Sequence, residues 1–289
     1  MLKLFTDTDT DFTLEEAAHY GYQMISMPYD INGNEVKPYV DFKEFDYKTF
    51  YDTLRKGALP KTYAISPAKY IEYFEPELAN GNDILYVHFS RAMSGTFSAM
   101  DIAIKQLKEK YPDCSIYTID TKGITILSYN IVKEIGELYL AGKTINELLE
   151  WAKENIDHYA TYFFADTLSF FARSGRISNF SKVMGTLIGV KPIICMDQNG
   201  VMTNIGKERG RIKATNKLIE TFDELNLDPF NHRIIIGHTD ALDLAQNLGN
   251  LLQKKYQNKL NIEYVVVNPT AGSHCGPDTI GICFYAKHR

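Results

Sequence analysis

Short apolar runs alternate with amphipathic helical stretches through the first half of this chain, and that alternation restricts its fold more than any other feature. Leu2 to Thr6 reads as a strand, and Thr13-Leu14-Glu15-Glu16 fits a capping box that opens a short helix. Met24 to Tyr29 reads as a strand that turns at Asn32-Gly33, a hairpin-type signal. Tyr47 to Lys56 has helical character and is stopped by Gly57 and Pro60. Ile84-Leu85-Tyr86-Val87-His88-Phe89-Ser90 reads as a further strand, followed by a helix from Phe97 to Leu107. Ser115 to Ile119 is another short strand, then come a turn over 120–123, a helix over 124–141, and one that Thr144-Ile145-Asn146-Glu147 caps and that runs to Asp157. Strands separated by helices in this way predict an α/β fold with a mostly parallel sheet flanked by helices.

The second half has a different rhythm. Tyr159 to Asp166 reads as a strand and 179–190 as a short helix. Pro192 to Met196 and Val201 to Ile205 flank Asp197-Gln198-Asn199-Gly200 as a hairpin. A helix over Arg209 to Leu225, a strand over His232 to Thr239, a helix over Leu242 to Tyr256 and strands at Ile262 to Val267 and Ile280 to Ala286 complete it. A hairpin and a closing strand pair imply a mixed or antiparallel sheet in an α+β lobe. The expected lobes are 1–158 and 159–289, with the segment 60–75 contributing to the cleft between them, and clefts between lobes favour ligand sites.

Composition narrows the function classes. The 289 residues suffice for a large core, and the net charge of −5 argues against nucleic acid as a partner. Cys114, Cys195, Cys275 and Cys283 are scattered without a CxxC pair, which argues against a zinc site or a disulfide framework. The first residues, Met1-Leu2-Lys3-Leu4-Phe5-Thr6-Asp7, lack the apolar length of a signal peptide, and no run is long enough to insert stably in a bilayer. A cytoplasmic protein is expected. The 19 tyrosines and 16 phenylalanines suit an apolar ligand cavity as well as an ordinary large core.

Ser94-Gly95-Thr96 stands between a strand and a helix, which is where an anion pocket forms. The first N–H groups of a helix lack internal partners, the dipole leaves partial positive charge there, and the Ser94 and Thr96 hydroxyls add donors beside an open Gly95. The same residues also serve as an ordinary N-cap. Asp7-Thr8-Asp9-Thr10-Asp11 follows the first strand. Two carboxylates so spaced resemble the haloacid-dehalogenase phosphotransferases, although those enzymes usually carry Thr or Val where Asp11 stands. Phe12 and Ala18 exclude an EF-hand, and local Asp-to-backbone bonding explains the pattern equally. Thr62 follows Pro60, and Ser66-Pro67 opens a helix, so Thr62 is either a ligand donor or a turn residue. Arg173-Ser174-Gly175-Arg176 offers two cations that suit a phosphate, an acidic partner or plain solvent. Gly185 and Gly189 clear one face of a helical stretch, either for close packing or for an alkyl chain. Thr270 to Pro277 reads as a loop of small residues joining two strands. His274 within it is a general base, an oxyanion donor or a structural residue, and extended geometry turns Cys275 away from it.

Taken in order, Asp7-Thr8, Thr62, Ser94-Gly95-Thr96-Phe97, Ser174-Gly175-Arg176-Ile177-Ser178, Lys191-Pro192-Ile193-Ile194 and His274-Cys275-Gly276-Pro277 resemble the DegV family over nearly the whole chain. The resemblance implies two α/β lobes that enclose a long-chain fatty acid in a buried tunnel. It also implies a lipid-binding subunit with no turnover of its own and no cofactor beyond the bound acid. Such a subunit presents the carboxylate to a separate fatty acid kinase catalytic subunit, whose acyl phosphate product feeds phospholipid synthesis. Carried onto this chain, Thr62, Ser94 and His274 bind the carboxylate, Gly95, Thr96 and Gly276 support it, and Arg176 and Arg173 serve the partner or the phosphoryl group. The chain departs from the family pattern at Tyr63-Ala64-Ile65, at Ser174 and at Asp278, the last adding negative charge near an anionic ligand. The competing expectations are a free-standing Mg²⁺-dependent phosphatase using Asp7 and Asp9, or a binder of another small anion.

Overall fold

In the computed structural model, which describes residues 1–167, 169–178 and 189–289, the alternation of the first half becomes a four-stranded parallel sheet. Its chain order is β1 (Leu2–Asp7), a 3₁₀ turn (Thr8–Thr10), α1 (Leu14–Tyr20), β2 (Tyr22–Ile25), β3 (Tyr29–Ile31), β4 (Asn34–Val36), α2 (Tyr47–Arg55), β5 (Lys61–Thr62), α3 (Pro67–Ala79), β6 (Asp83–His88), α4 (Thr96–Lys110) and β7 (Ile116–Asp120). The strands align β2-β1-β6-β7, all parallel. Thr13 and Thr144 close reciprocal capping boxes with Glu16 and Glu147, and Ser66 caps α3 with Pro67 in its first turn. The run from Met24 to Tyr29 does not form one strand. It breaks at Pro28, so β2 joins the parallel sheet while β3 joins a small antiparallel sheet ordered β4-β3-β5.

After α5 (Ile126–Leu140) and α6 (Ile145–Asn155), the second half builds a mixed seven-stranded sheet. Its elements are β8 (Tyr159–Phe164), α7 (Ser169–Ser174), β9 (Ile177–Ser178), β10 (Val190–Met196), β11 (Met202–Arg209), α8 (Gly210–Leu225), β12 (Arg233–His238), α9 (Leu242–Lys255), β13 (Asn261–Val266), α10 (Pro269–Cys275) and β14 (Ile280–Tyr285). The order is β13-β12-β14-β8-β10-β11-β9, with β12/β13 and β11/β9 parallel and the remaining pairs antiparallel. The helix expected over 179–190 lies, for 179–188 and therefore Gly185, outside the described residues; Gly189 sits in a turn before β10.

α5 explains how the two sheets meet. Ile126, Leu127, Ile131, Val132 and Ile135 are buried around much of its circumference, the pattern of a helix covered on several sides. It packs against β6 of the parallel sheet and against β8, β12 and β14 of the mixed sheet. The main hydrophobic core therefore runs through both halves, from Leu4 and Phe74 to Ile194, Ile235 and Cys283.

The segment expected as a loop over Thr270 to Pro277 is instead α10, and the reason is local. The Asn268 side chain accepts the Ala271 N–H at 2.9 Å, and Pro269 occupies the first turn. Asn268 in turn donates its backbone N–H and its Nδ2 to Asp11 Oδ1, at 2.8 and 2.7 Å. Tyr51 of α2 donates to the Val267 carbonyl at 2.9 Å. The start of α10 is thus tied to the 3₁₀ turn after β1 and to α2.

Candidate ligand cavity

A cavity opens between the two sheets. Met27, Phe89 and Met93 contribute from the first half, and Phe163, Met196 and Met202 from the mixed sheet. Four methionines in the wall give a flexible, polarizable surface that adapts to an alkyl chain. Part of the space comes from two glycines that face each other in the register of β12 and β14. Gly237 pairs with Gly281, and both line the cavity. A Cβ at Gly237 would stand 2.5 Å from Ile126 Cγ2, and one at Gly281 would stand 2.8 Å from Phe163 Cβ. A side chain at Gly237 would collide with Ile126 at the start of α5, and one at Gly281 with Phe163 of β8.

The polar end is assembled from three distant segments. Thr62 stands on β5, where it pairs with Tyr29, and Thr62 Oγ1 lies 2.9 Å from His274 Nε2 on α10. Burial, followed by the Arg176 and Arg173 guanidinium charges, pushes the His274 imidazole down to about 4, so the ring is neutral at physiological pH. Ser94 Oγ accepts the Thr96 N–H at 3.2 Å, which leaves its own hydrogen to donate. Ser94 and Gly95 line the cavity at the start of α4, the positive end of that helix dipole. A second space shares Thr62, Tyr63, Arg176 and His274 with the first and adds Lys61 and Arg173. No carboxylate stands among its described lining residues. The polar end thus offers neutral hydroxyl and imidazole donors, Arg176 shared between the two spaces, and Lys61 and Arg173 on the outside, a geometry suited to holding one oxyanion.

Thr62, Ser94, Gly95, Arg176 and His274 all line this cavity, and Arg173 lines the outer space. Thr96 and Gly276 do not. The Thr96 hydroxyl, expected as a ligand donor, turns into the core, where it accepts the Ile65 N–H at 3.3 Å and meets Tyr70 Oη at 3.2 Å. Gly276 has a φ of 72°, and a Cβ there would approach Phe170 Cδ2 to 2.3 Å, so its role is to end α10 and admit Phe170. Asp278 does not present a bare charge to the cavity. Its carboxylate lies 3.3 Å from Arg55 Nη2 and 3.8 Å from Arg211 Nη2. Cys275 shares a helix with His274 rather than an extended segment, and burial pushes its thiol up to about 12, so it carries no thiolate.

The acidic motif after β1 is entirely buried, and its three carboxyls part ways. Asp7 Oδ2 accepts from Tyr86 Oη at 2.9 Å and from Phe89 N–H at 3.2 Å, while Oδ1 accepts the Asp9 N–H at 3.0 Å. Asp11 holds Asn268. Burial raises Asp7 to about 7 and Asp11 to about 8. Asp9 alone of the three lines the cavity. Among the described residues no group of three His, Cys, Asp or Glu side chains is placed to hold a metal ion. The role of Asp9 in the wall, the methionine lining and the Asp11–Asn268 anchor escape sequence reasoning; only Asn268-Pro269 carried a readable signal, as a cap followed by a first-turn proline.

Two sheets clasping an apolar cavity with a hydroxyl–imidazole polar end define a two-sheet α/β protein with an interior ligand site. The sequence profile described as "Uncharacterised protein, DegV family" matches residues 1–287, and the chain belongs to the DegV family. A DegV domain-containing protein of Clostridium perfringens is 30% identical over 282 residues, covering 97% of this chain and 96% of that one. Among solved structures, a fatty acid binding DegV family protein from Streptococcus agalactiae superposes with a TM-score of 0.85 at 24% identity, covering 98% of each chain. A stearic acid-binding protein from Eubacterium ventriosum superposes with a TM-score of 0.86 at 20% identity, covering 99% of each. Both share the fold described above. No helix among the described residues is long and apolar enough to cross a membrane.

Proposed function

We propose that the cavity binds one long-chain fatty acid, with its carboxylate at Thr62, Ser94 and His274 and its alkyl chain along the methionine-lined interior. The observation that carries this reading is the union of a largely apolar cavity with a polar end where the Thr62 and Ser94 hydroxyls and the neutral His274 ring stand together in the wall with Arg176. A buried carboxylate stays ionised only if it is hydrogen-bonded or paired, and these donors supply such bonds with the Arg176 charge in the same wall. Burying about fifteen methylenes contributes roughly 12 kcal/mol gross at about 0.8 each, part of it offset by the ligand's lost freedom. The chain's family and the fatty acids named for its fold neighbours support the same reading.

The reading extends to a role. The protein works as two lobes, 1–158 and 159–289, in the cytoplasm, and has no turnover of its own. It presents the carboxylate to a separate kinase subunit. There a carboxylate oxygen attacks the terminal phosphorus of ATP, forming acyl phosphate for phospholipid synthesis and releasing ADP. The outer space with Lys61, Arg173 and Arg176 supports this, because it offers positive charge to an acidic partner surface or to the transferred phosphoryl group. Native mass spectrometry of the purified protein, followed by organic extraction, tests the binding. A co-purifying mass of a C14–C18 fatty acid is the expected result. A ligand-free mass that stays unshifted after incubation with several fatty acids overturns it.

A further inference from the structure

The turn that carries Ser94 into the cavity wall is held from the other half of the chain. Ser90, at its start, is fully buried and uses every polar group it has. Its N–H donates to the Gly123 carbonyl at 2.6 Å, and its carbonyl accepts the Met93 N–H at 3.1 Å. Its Oγ accepts the Ala92 N–H at 3.2 Å and donates its hydrogen to the Gly200 carbonyl at 2.7 Å. A single 3₁₀ turn, Arg91–Met93, then leads to Ser94, and Met93, Ser94 and Gly95 all line the cavity. Among the described residues the Ser94 hydroxyl has one protein partner, the Thr96 N–H. Its direction therefore depends on the turn that precedes it.

The far side of this bond is rigid. Gly200 belongs to the turn between β10 and β11, where Asp197 Oδ1 accepts the Asn199 and Val201 N–H groups at 2.9 and 3.0 Å and Oδ2 accepts from Thr203 Oγ1 at 3.2 Å. Gly200 has a φ of 74°, and a Cβ there would stand 2.3 Å from Ser90 Oγ, so the turn and the hydroxyl meet without room for a side chain. Met196 ends β10, Met202 begins β11, and both line the cavity. The Ser90–Gly200 bond is thus a strut between two cavity walls, one from each half of the chain. Ser90 is not among the described lining residues, so it reaches a ligand only through the turn it holds. Removing its hydroxyl leaves the buried Gly200 carbonyl without that donor and frees the Ala92 N–H.

We propose that Ser90 is a positioning residue for carboxylate recognition: anchored on Gly200, it fixes the direction in which Ser94 presents its hydroxyl. This rests on the fatty-acid reading above and deepens it at the same site. A thermodynamic cycle separates positioning from mere scaffolding, because two residues that act through one contact have non-additive effects. Hexadecanoic acid is titrated into the full chain, Ser90→Ala, Ser94→Ala and the double variant. Ser90→Ala alone should weaken binding about tenfold, the loss of one hydrogen bond to a charged acceptor. In the Ser94→Ala background the same change should weaken it less than about twofold. Equal losses in the two backgrounds overturn the proposal and leave fatty-acid binding intact, as does an affinity unchanged in Ser90→Ala. Gly200→Ala disturbs the same bond from the opposite side, should give the same pattern, and decides the matter if Ser90→Ala fails to fold. Loss of the fold in both assigns Ser90 to the scaffold and overturns the proposal too. Hexadecanoic acid failing to bind the unaltered protein overturns the fatty-acid reading as well.

Discussion

Two parts of the cavity wall solve the burial of polar groups in opposite ways. At the polar end, Thr62 and His274 are within hydrogen-bonding distance of each other, and Ser94 is steadied by the Thr96 N–H. The hydroxyl and imidazole donors are few and shared, Arg176 borders both spaces, and Lys61 and Arg173 stay in the adjoining one. Elsewhere in the wall, Asp9 has a buried oxygen that nothing on the protein satisfies. The first arrangement is organised before a ligand arrives. The second is left incomplete. A polar group buried and satisfied specifies structure, whereas one buried and unsatisfied points to something absent.

The largest effect should come from removing the polar end. Ser94→Ala combined with Thr62→Ala deletes two donors to a charged oxyanion, each worth about 1.5 kcal/mol or more, so fatty-acid affinity should fall about 100-fold. Calorimetric titration would read this directly, and an unchanged dissociation constant would place the carboxylate elsewhere. A second test concerns the buried carboxyls after β1. Asp7 is raised to about 7 in the folded chain from an ordinary value near 3.8. The folded state therefore holds its proton more tightly than the unfolded state. The resulting stabilisation is complete below about pH 4 and is lost as pH rises through about 7. Relative to Asp7→Asn, the unaltered protein should lose about 1 to 3 kcal/mol between pH 4 and pH 8, read as diverging urea midpoints. Parallel midpoints across that range would show that Asp7 is ionised throughout. The smallest effect belongs to Thr96, two residues from Ser94 yet facing the core. Thr96→Val should cost about 1 kcal/mol of stability through the Ile65 and Tyr70 contacts and leave affinity within about twofold. Loss of binding without loss of stability would reverse the assignments of Thr96 and Ser94.

Much of the scaffold could be read from residue order alone because its signals are local. The capping boxes at Thr13 and Thr144, the Asn32-Gly33 hairpin and the turn over 197–200 each act within a few residues, and each appears in the structure. The cavity could not be read this way. Its wall draws Met27, Phe89, Ile126, Phe163, Met202 and Val267 from separate elements, and no spacing rule links them. α10 was hidden because a seven-residue helix of small side chains shows no apolar period, leaving Asn268-Pro269 as its only mark. The acidic motif shows the limit most clearly. Asp7, Asp9 and Asp11 alternate as they would along a strand, but a 3₁₀ turn sends Asp7 to Tyr86, Asp9 into the cavity and Asp11 to Asn268. Neither shared metal binding nor purely local turn bonding describes all three.

The central claim is an orientation: carboxylate at Thr62, Ser94 and His274, chain running along the methionine-lined interior. A crystal structure with 16-bromohexadecanoic acid tests it directly, because anomalous scattering locates the bromine independently of the chain. The account predicts the carboxylate within hydrogen-bond distance of Ser94 Oγ and Thr62 Oγ1, with the bromine in the methionine-lined interior. Bromine at the Thr62–Ser94 end, with the carboxylate among the methionines, would contradict it.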